Sequence, residues 1–224
     1  MSSRPVVFLL AFLCLAIQTL FCVQPAAAQR ADRPSPGYVR VELITSMGRI
    51  VVAVDMKRAP KTSANFLTYV DDGRLDGTTF YRAARRKADP KLGYVQGGIR
   101  TNLRRALPPI PHEPTTMTGI KHLDATLSMA RQDRLGSAAG NFFLTVGAIP
   151  YMDARGDYAG YAAFGRVVAG MDVVRRMLAL PSSGGTGPMK GQIMDKPVAI
   201  IRAKRLDGKP HPSGRAKAWL LWEK

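Results

Sequence analysis

The residues best suited to chemistry lie in the stretch from residue 78 to residue 98. An apolar and aromatic run, predicted as a strand, ends at Arg82, and a second predicted strand carries Gln96 directly before two glycines. Those glycines allow backbone angles and close approaches that other residues resist. A guanidinium and an amide on neighbouring strands can bind a peptide through fixed donors and acceptors without attacking it.

The motifs that commonly carry hydrolytic or cofactor chemistry are absent from the sequence. There is no G-x-S-x-G, H-E-x-x-H or phosphate-loop motif. His112 and Glu113 stand near His122 and Asp124, but their spacing matches none of the usual metal sites. A solvated or hydrogen-bonded role is the better interpretation of each histidine. We therefore expect neither a metal nor a cofactor.

Rotation about a peptide bond is a reaction that needs none of these groups. Its barrier of about 18–20 kcal/mol is the resonance that keeps the amide planar. A catalyst must therefore stabilise the twisted amide more than the planar one. An apolar pocket for a proline ring and a cation that acts on the twisted amide suffice. Arginine suits the second task, and aromatic and sulfur side chains suit the first.

The elements that position these residues are predicted as many short strands and two helices. Residues 39–55 alternate apolar and polar side chains around a glycine turn, which is typical of a β-hairpin. Helices are predicted at 59–73, where a proline stands in the first turn, and at 170–178. Further strands are predicted at 127–130, 141–146, 162–168 and 197–206. This pattern favours a mainly β fold, a closed antiparallel barrel capped by helices, over an alternating α/β fold.

The first 28 residues have the layout of a secretory signal peptide. Arg4 is their only charged residue, an apolar run follows at 6–17, and small residues precede Gln29. We expect cleavage near Ala28 and export, or a membrane anchor if the segment is retained. Both cysteines fall within this segment, so no disulfide is expected in the mature chain. Residues 29–37 are predicted to be a linker.

The chain is strongly basic, with a formal net charge of +17. Its basic residues stand in short groups and not in one long tract, so nucleic acid is not expected as a partner. Weak association with an anionic envelope surface explains the charge better in an exported protein. Residues 209–224 form a basic extension that ends in an apolar patch with Trp219 and Trp222. Docking of this extension on the domain is favoured over a contact with a partner or a membrane.

Five short motifs, in the family's order, resemble those of the cyclophilin-type peptidyl-prolyl isomerases of the exported bacterial type. They are F-Y-R at 80–82, Q-G-G at 96–98, L-S-M-A at 127–130, N-F-F at 141–143 and G-Y-A-A-F-G-R-V at 160–167. The resemblance implies a closed eight-stranded antiparallel barrel capped by two α-helices, within a domain at 38–208. It also implies a monomeric periplasmic enzyme without a cofactor, acting on proline-containing unfolded or flexible polypeptides.

The resemblance also implies roles for individual residues. Arg82 matches the family's catalytic arginine, and Gln96 matches the glutamine that binds the substrate backbone and holds that arginine. Phe143, Met152 and Tyr161 fall where the proline pocket is lined.

Three further residues match positions around that pocket. Ala130 falls where the substrate residues that precede the proline lie. Asn141 replaces a glutamine that is one methylene longer. Tyr151 stands where many eukaryotic members carry a tryptophan that helps to bind cyclosporin, so strong sensitivity to that drug is not expected.

The link between Arg82 and Gln96 departs from the family's pattern. The two residues are 14 positions apart, several more than is usual, and a basic insertion at 85–87 lies between them. The family's phenylalanine falls on Gly93, so the pocket has either lost an aromatic wall or gains one from Tyr94. Two functions stay open: an isomerase, or a proline-binding chaperone with little turnover. A basic scaffold for anionic surfaces is a third, weaker alternative.

Overall fold

The computed structural model describes residues 35–221. The predicted signal peptide, most of the predicted linker and Trp222 lie outside these residues. The strands are β1 Tyr38–Thr45, β2 Gly48–Asp55, β3 Thr78–Arg85, β4 Gly93–Gly98, β5 Thr126–Met129, β6 Asn141–Val146, β7 Ala162–Ala169, β8 Ser182–Gly184 and β9 Ile193–Arg205. The helices are α1 Pro60–Asp71, α2 Thr115–Thr118 and α3 Met171–Leu178. None of the helices among the described residues is long and apolar enough to cross a lipid bilayer.

Eight of the strands close into an antiparallel barrel. Their order is β1-β2-β7-β5-β6-β4-β3-β9, and the additional pairing of β1 with β9 closes the ring. The ninth strand, β8, is short and pairs only with the start of β9. The predicted mainly β fold, with its closed eight-stranded barrel, is confirmed.

The barrel interior is filled by the apolar side chains that alternate along the strands. Val41 and Leu43 of β1 and Ile50, Val52 and Val54 of β2 are all fully buried, because successive side chains of a strand point to opposite faces. The domain thus gains a core from short strands whose other face is free to build a site.

Two helices cap the barrel, as the sequence predicts. α1 inserts Phe66, whose ring lies 5.2 Å from that of Phe142 and 5.4 Å from that of Phe164. α3 buries its apolar stripe, which consists of Val173, Val174, Met177 and Leu178. The third helix, α2, is a single turn that the sequence pattern did not predict, because four residues between Pro114 and Gly119 are too few to show a helical period.

The C-terminal extension lies against the barrel. Trp219 is only 3 % exposed, and its ring lies under two guanidinium groups, with Arg74 Cζ at 4.7 Å and Arg105 Cζ at 5.2 Å from the ring centroid. Arg74 is itself paired with buried Asp72, which also accepts a hydrogen bond from the Ser213 backbone at 2.7 Å. The extension is therefore anchored at two points.

Candidate functional site

A β-bulge in β3 brings the side chains of Tyr81 and Arg82 to the same face of the sheet. Phe80 pairs with Gly97 and Arg82 pairs with Gln96, so Tyr81 is the extra residue. Gln96 Nε2 donates to Tyr81 Oη at 2.8 Å, and Arg82 Nη1 donates to Gln96 Oε1 at 3.0 Å. In a regular strand the side chains of residues 81 and 82 would point to opposite faces.

The glycine after Gln96 is required by close packing beneath this site. A Cβ on Gly97 would stand 2.7 Å from Phe80 Cδ1, a distance that real side chains do not adopt. The Q-G-G motif therefore has a local reason: Phe80 fills the core directly under the strand that presents Gln96.

Arg82, Gln96 and Phe143 form a row across three neighbouring strands. Gln96 pairs with Phe143 of β6, and Phe143 pairs with Ser128 of β5. The row continues the pairing of Arg82 with Gln96, so the guanidinium and the aromatic ring face the same side of the sheet. Polar and apolar recognition groups thus lie next to each other.

Arg82 is held by two glutamines. Gln192 Oε1 accepts hydrogen bonds from Nε at 2.9 Å and from Nη2 at 2.7 Å, while Gln96 Oε1 accepts from Nη1. A guanidinium has five N–H donors, so three are engaged and two are left. The two that remain, one on each terminal nitrogen, donate to neither glutamine.

A cluster of apolar side chains lies beside this guanidinium, where the sequence predicts the proline pocket. Its buried members are Phe143, Ile149 and Met152. Tyr94, Ala130 and Tyr161 pack around them as half-buried walls. The ring centroids of Tyr94 and Tyr161 lie 5.1 Å and 5.6 Å from that of Phe143.

Tyr94 connects the pocket to the arginine. Its ring packs on Phe143, and Arg82 Cζ lies 5.2 Å from its centroid, within the range of a cation–π contact. Gly93 gives the strand the turn that this placement needs. Its φ is +148°, and a Cβ there would stand 2.1 Å from the carbonyl oxygen of Ala84. An aromatic wall is therefore present, supplied by the residue after the glycine.

The longer loop between β3 and β4 folds back on itself. The Arg86 amide donates to the Leu92 carbonyl at 2.9 Å. Arg85 turns to the other side, where Nη1 donates to the carbonyls of Leu178 and Leu180 at the end of α3. The extra residues thus pack near α3, while Tyr94 and Gln96, two positions apart on β4, lie on the face of the strand that carries the site.

Buried Ser128 and His122, together with half-buried Asp153, lie behind the apolar cluster. The ring of His122 stacks on Phe143 at a centroid distance of 5.9 Å. His122 Nδ1 lies 2.7 Å from Asp153 Oδ1, and Nε2 lies 2.8 Å from Ser128 Oγ. Burial lowers the pKa of His122, and its hydrogen bond with Asp153 opposes that shift. Ser128 is 0 % exposed, so this arrangement presents no accessible nucleophile.

Tyr81 is also kept in one protonation state. Burial raises the pKa of its phenol to about 12, so the group remains protonated at neutral pH. It accepts the hydrogen bond from Gln96 and lies 3.4 Å from Asn141 Oδ1, to which it can donate.

Most of the predicted site residues meet in one place, and Asn141 is joined to them through Tyr81. The structure brings together Arg82, Gln96, Tyr94, Ala130, Phe143, Met152 and Tyr161. The side chain of Asn141 is engaged with the Arg100 backbone, accepting from its N–H at 2.7 Å and donating to its carbonyl at 2.9 Å. Tyr151 is 48 % exposed and makes none of the ring contacts of the pocket.

Four residues of the site were missed by the sequence analysis: Tyr81, His122, Ile149 and Gln192. Tyr81 had a signal, because it stands between the two other residues of the F-Y-R motif. For His122 the sequence predicts a solvated or hydrogen-bonded role, but it does not predict that the residue lies behind the site. Gln192 lies 110 positions from Arg82 in a glycine-rich connector, and nothing in its local sequence marks it.

The histidine and acidic residues that lie near one another at positions 112–124 have separate hydrogen-bond partners. Among residues 35–221 no three histidine, cysteine or acidic side chains are grouped to hold a metal ion. His112 Nε2 lies 2.9 Å from the Ala159 carbonyl oxygen. Glu113 is buried against the first turn of α1, where its Oε2 accepts from the backbone N–H of Thr62 at 2.8 Å.

Comparison with known proteins identifies the family. The family model of the cyclophilin type peptidyl-prolyl cis-trans isomerases matches residues 40–204. A peptidyl-prolyl cis-trans isomerase of Acinetobacter baylyi is 33% identical over 72% of this chain and 82% of its own length. One from Streptomyces antibioticus is 35% identical over 74% of this chain and 98% of its own.

A solved structure gives the same fold. The crystal structure of a Cryptosporidium parvum cyclophilin type peptidyl-prolyl cis-trans isomerase superposes with a TM-score of 0.59, at 20% identity, over 77% of this chain and 99% of that one. The chain therefore belongs to the cyclophilin-type peptidyl-prolyl cis-trans isomerase family. Peptidyl-prolyl isomerisation is its enzymatic class.

Proposed function

We propose that this protein isomerises X-Pro bonds of exported polypeptides by gripping the proline ring and stabilising the twisted amide with Arg82. The observation that carries the proposal is the row Arg82–Gln96–Phe143, in which two guanidinium N–H groups that neither glutamine uses lie beside an apolar cluster. The pocket formed by Phe143, Met152, Tyr94 and Tyr161 suits a proline ring, because it is apolar and lined by rigid aromatic groups.

The arginine acts on the amide as conjugation is lost. In the twisted state the amide nitrogen regains a lone pair, which a nearby N–H donor stabilises more than it stabilises the planar amide. Gln96 and Gln192 fix the guanidinium before the substrate arrives, so little reorganisation is needed when the bond rotates. No covalent bond forms or breaks, and the proposed mechanism has no cofactor.

Two features support the proposed substrate class and compartment. Half-buried walls at Tyr94, Ala130 and Tyr161 admit an extended segment, so unfolded or flexible polypeptides are the proposed substrates. The layout of residues 1–28 supports cleavage near Ala28 and action in the periplasm. The net charge of +17 supports weak attraction to anionic envelope surfaces, which added salt would screen.

The test is isomerisation of a short Ala-Pro peptide by the mature chain, followed by NMR exchange between the cis and trans signals. We expect clear acceleration by the wild type and a loss of about a hundredfold or more in kcat/KM for Arg82→Ala, since the donors to the twisted amide are gone. Arg202→Ala, an exposed change on β9, serves as the control and leaves the rate unchanged.

Two results would count against this mechanism. If Arg82→Ala isomerised the peptide as fast as the wild type does, the arginine would have no part in the reaction. If the wild type bound the peptide but gave no acceleration, the protein would be the proline-binding chaperone instead. The placement of Tyr94 against Phe143 and Arg82 favours the enzyme, because the pocket keeps its aromatic wall.

A further inference from the structure

A second groove opens beside the proline pocket and shares residues with it. It has a volume of about 390 Å³, and Ala130 and Asn141 lie on its border. Ala130 also packs against the cluster of Phe143 and Met152. A chain whose proline occupies the pocket can therefore place a neighbouring residue in this groove.

The charged side chains that line the groove are all basic. Arg100, Arg131 and Arg134 line it, and no aspartate or glutamate does. Within residues 35–221 none of these three arginines takes part in a salt bridge. Their positive charge is therefore not neutralised by a carboxylate of the described chain.

Two of these arginines are positioned by specific contacts. Arg100 is a non-glycine residue at φ 53°, a conformation that costs energy and persists only where the surroundings hold it. Asn141 holds it, bonding both its backbone N–H and its carbonyl, and the guanidinium lies 5.6 Å from the Tyr81 ring centroid. Arg131 Nε donates to the Gly160 carbonyl at 3.0 Å, and Arg131 Cζ lies 5.2 Å from the Tyr161 ring centroid.

We propose that this basic groove selects substrates that carry an acidic residue before the proline. The inference rests on the proposed function and adds a substrate class to it. Arg100 and Arg131 lie over aromatic rings at the edge of the site, and exposed Arg134 adds a third charge. An approaching glutamate or aspartate gains attraction there, while a lysine is repelled.

The experiment uses peptides with a single proline that carry glutamate, glutamine or lysine two residues before it. NMR exchange spectroscopy measures kcat/KM for each peptide with the mature chain. We expect the glutamate peptide to be isomerised about fivefold faster than the lysine peptide, as exposed ion pairs of this kind allow. The ratio falls toward one between about 0.01 M and about 1 M salt, as the Debye length shrinks from about 30 Å to about 3 Å.

A charge-reversed variant assigns the preference to the groove. Arg134→Glu lowers the ratio of kcat/KM for the glutamate peptide to that for the lysine peptide to about one or below. Arg202→Glu, the same change of charge on exposed β9, keeps the preference. Equal rates for the glutamate and lysine peptides would overturn this inference while leaving the proposed isomerase intact. No acceleration of any peptide would overturn both.

A different observation assigns a role to Gln192. Its Oε1 accepts from Arg82 Nε and Nη2, and its own Nε2 donates to the Pro188 carbonyl at 2.9 Å, so the amide cannot flip without losing these bonds. Its backbone carbonyl accepts from the Ala83 amide at 2.8 Å. The segment between α3 and β9 is thereby joined to both the side chain and the backbone of the arginine's strand.

We infer that Gln192 is a positioning residue, which turns the two remaining donors of Arg82 toward the substrate. Gln192→Leu keeps a side chain of similar volume but removes the acceptor, so we expect kcat to fall about tenfold with little change in KM. Gln192→Glu retains an acceptor and restores most of kcat. The Arg82 Nε–H signal in NMR spectra, protected in the wild type, exchanges faster in Gln192→Leu.

Two outcomes would overturn this second inference. One is an unchanged kcat in Gln192→Leu. The other is a loss of kcat in Gln192→Leu and Gln192→Glu alike, with the Arg82 Nε–H signal unaltered, since that result would point to a general role in folding. Thermal unfolding of both variants is compared with the wild type in the same buffer.

Discussion

At the scale of single residues, Tyr94 links the apolar cluster to the arginine. The sequence left open whether the pocket lacks an aromatic side chain at Gly93 or gains one from Tyr94. Tyr94 touches Phe143 on one side and the Arg82 guanidinium on the other. An aromatic ring in this position both excludes water from the pocket and offers its negative face to the guanidinium.

Removing that ring should weaken catalysis without unfolding the protein. We expect Tyr94→Ala to lower kcat/KM about tenfold, because the variant loses both the wall and the contact with Arg82. Tyr94→Phe keeps the ring and is the matched control, with activity within about twofold of the wild type. Rates measured on the same Ala-Pro peptide decide the point, and wild-type activity in Tyr94→Ala would show that the wall is dispensable.

His122 makes stability depend on pH. Its neutral ring suits both neighbours, since Nδ1–H donates to Asp153 and Nε2 accepts from Ser128. Burial lowers its pKa in the folded state below the ordinary value of 6.5. As the pH falls through 6.5, the unfolded chain takes up a proton before the folded one does, so stability is lost on the acid side.

The expected slope is at most about 1.4 kcal/mol per pH unit below pH 6.5. Urea unfolding of the wild type and of His122→Gln between pH 7.5 and pH 5.5 measures it. The wild type should lose stability toward acid more steeply than the variant. Parallel curves for the two proteins would assign the pH dependence to other groups.

At the scale of elements, β4 depends on the residue that begins it. Gly93 lies at φ +148°, and a Cβ there would stand 2.1 Å from the Ala84 carbonyl oxygen. The strand that starts at this glycine carries both Tyr94 and Gln96 into the site. The lengthened loop before it is tolerated because Arg86 and Leu92 close it with a backbone hydrogen bond.

Gly93→Ala should therefore destabilise the fold by about 2–4 kcal/mol, from an unfavourable φ and a backbone clash. Gly119→Ala is the matched control: Gly119 also has a positive φ, 68°, but a Cβ added there would meet no atom within 4 Å. Only about 1 kcal/mol is expected there. Chemical denaturation compares the two, and equal losses would refute the role of the clash.

The sequence predicts these elements better than it predicts their contacts. The two capping helices and the barrel can be predicted from the period of apolar residues and from turn residues, because both signals lie within a few neighbouring positions. Arg82, Gln96 and Phe143 could be found because each stands in a short motif. Gln192, 110 positions from its partner, could not, since long-range pairing leaves no local pattern. Asn141 stands in a motif as well, yet its bonds to Arg100 could not be foreseen.

At the scale of the whole molecule, the C-terminal extension adds stability to the barrel. Trp219 is buried between Arg74 and Arg105, and Ser213 bonds to Asp72, which lies just after α1. These contacts join the end of the chain to the first helix and to the loop before α2. A large buried aromatic ring contributes more to the free energy of unfolding than the smaller side chains around it.

Trp219→Ala should lower the free energy of unfolding by about 3–5 kcal/mol, the range for truncating a buried aromatic side chain. Leu221→Ala, at a residue that is 75 % exposed, is the control and should be nearly neutral. Thermal and urea unfolding measure both, and isomerase activity at low temperature should survive, because Trp219 lies outside the site. A neutral Trp219→Ala would mean that the extension only rests on the surface.

The pairing of β1 with β9 has a consequence for how the protein is made. The first strand ends at Thr45 and the last begins at Ile193, so the barrel can close only after nearly the whole chain has been delivered. Contacts of such long range form late, because the intervening chain must first be ordered. A partly synthesised chain that lacks β9 therefore cannot complete the barrel.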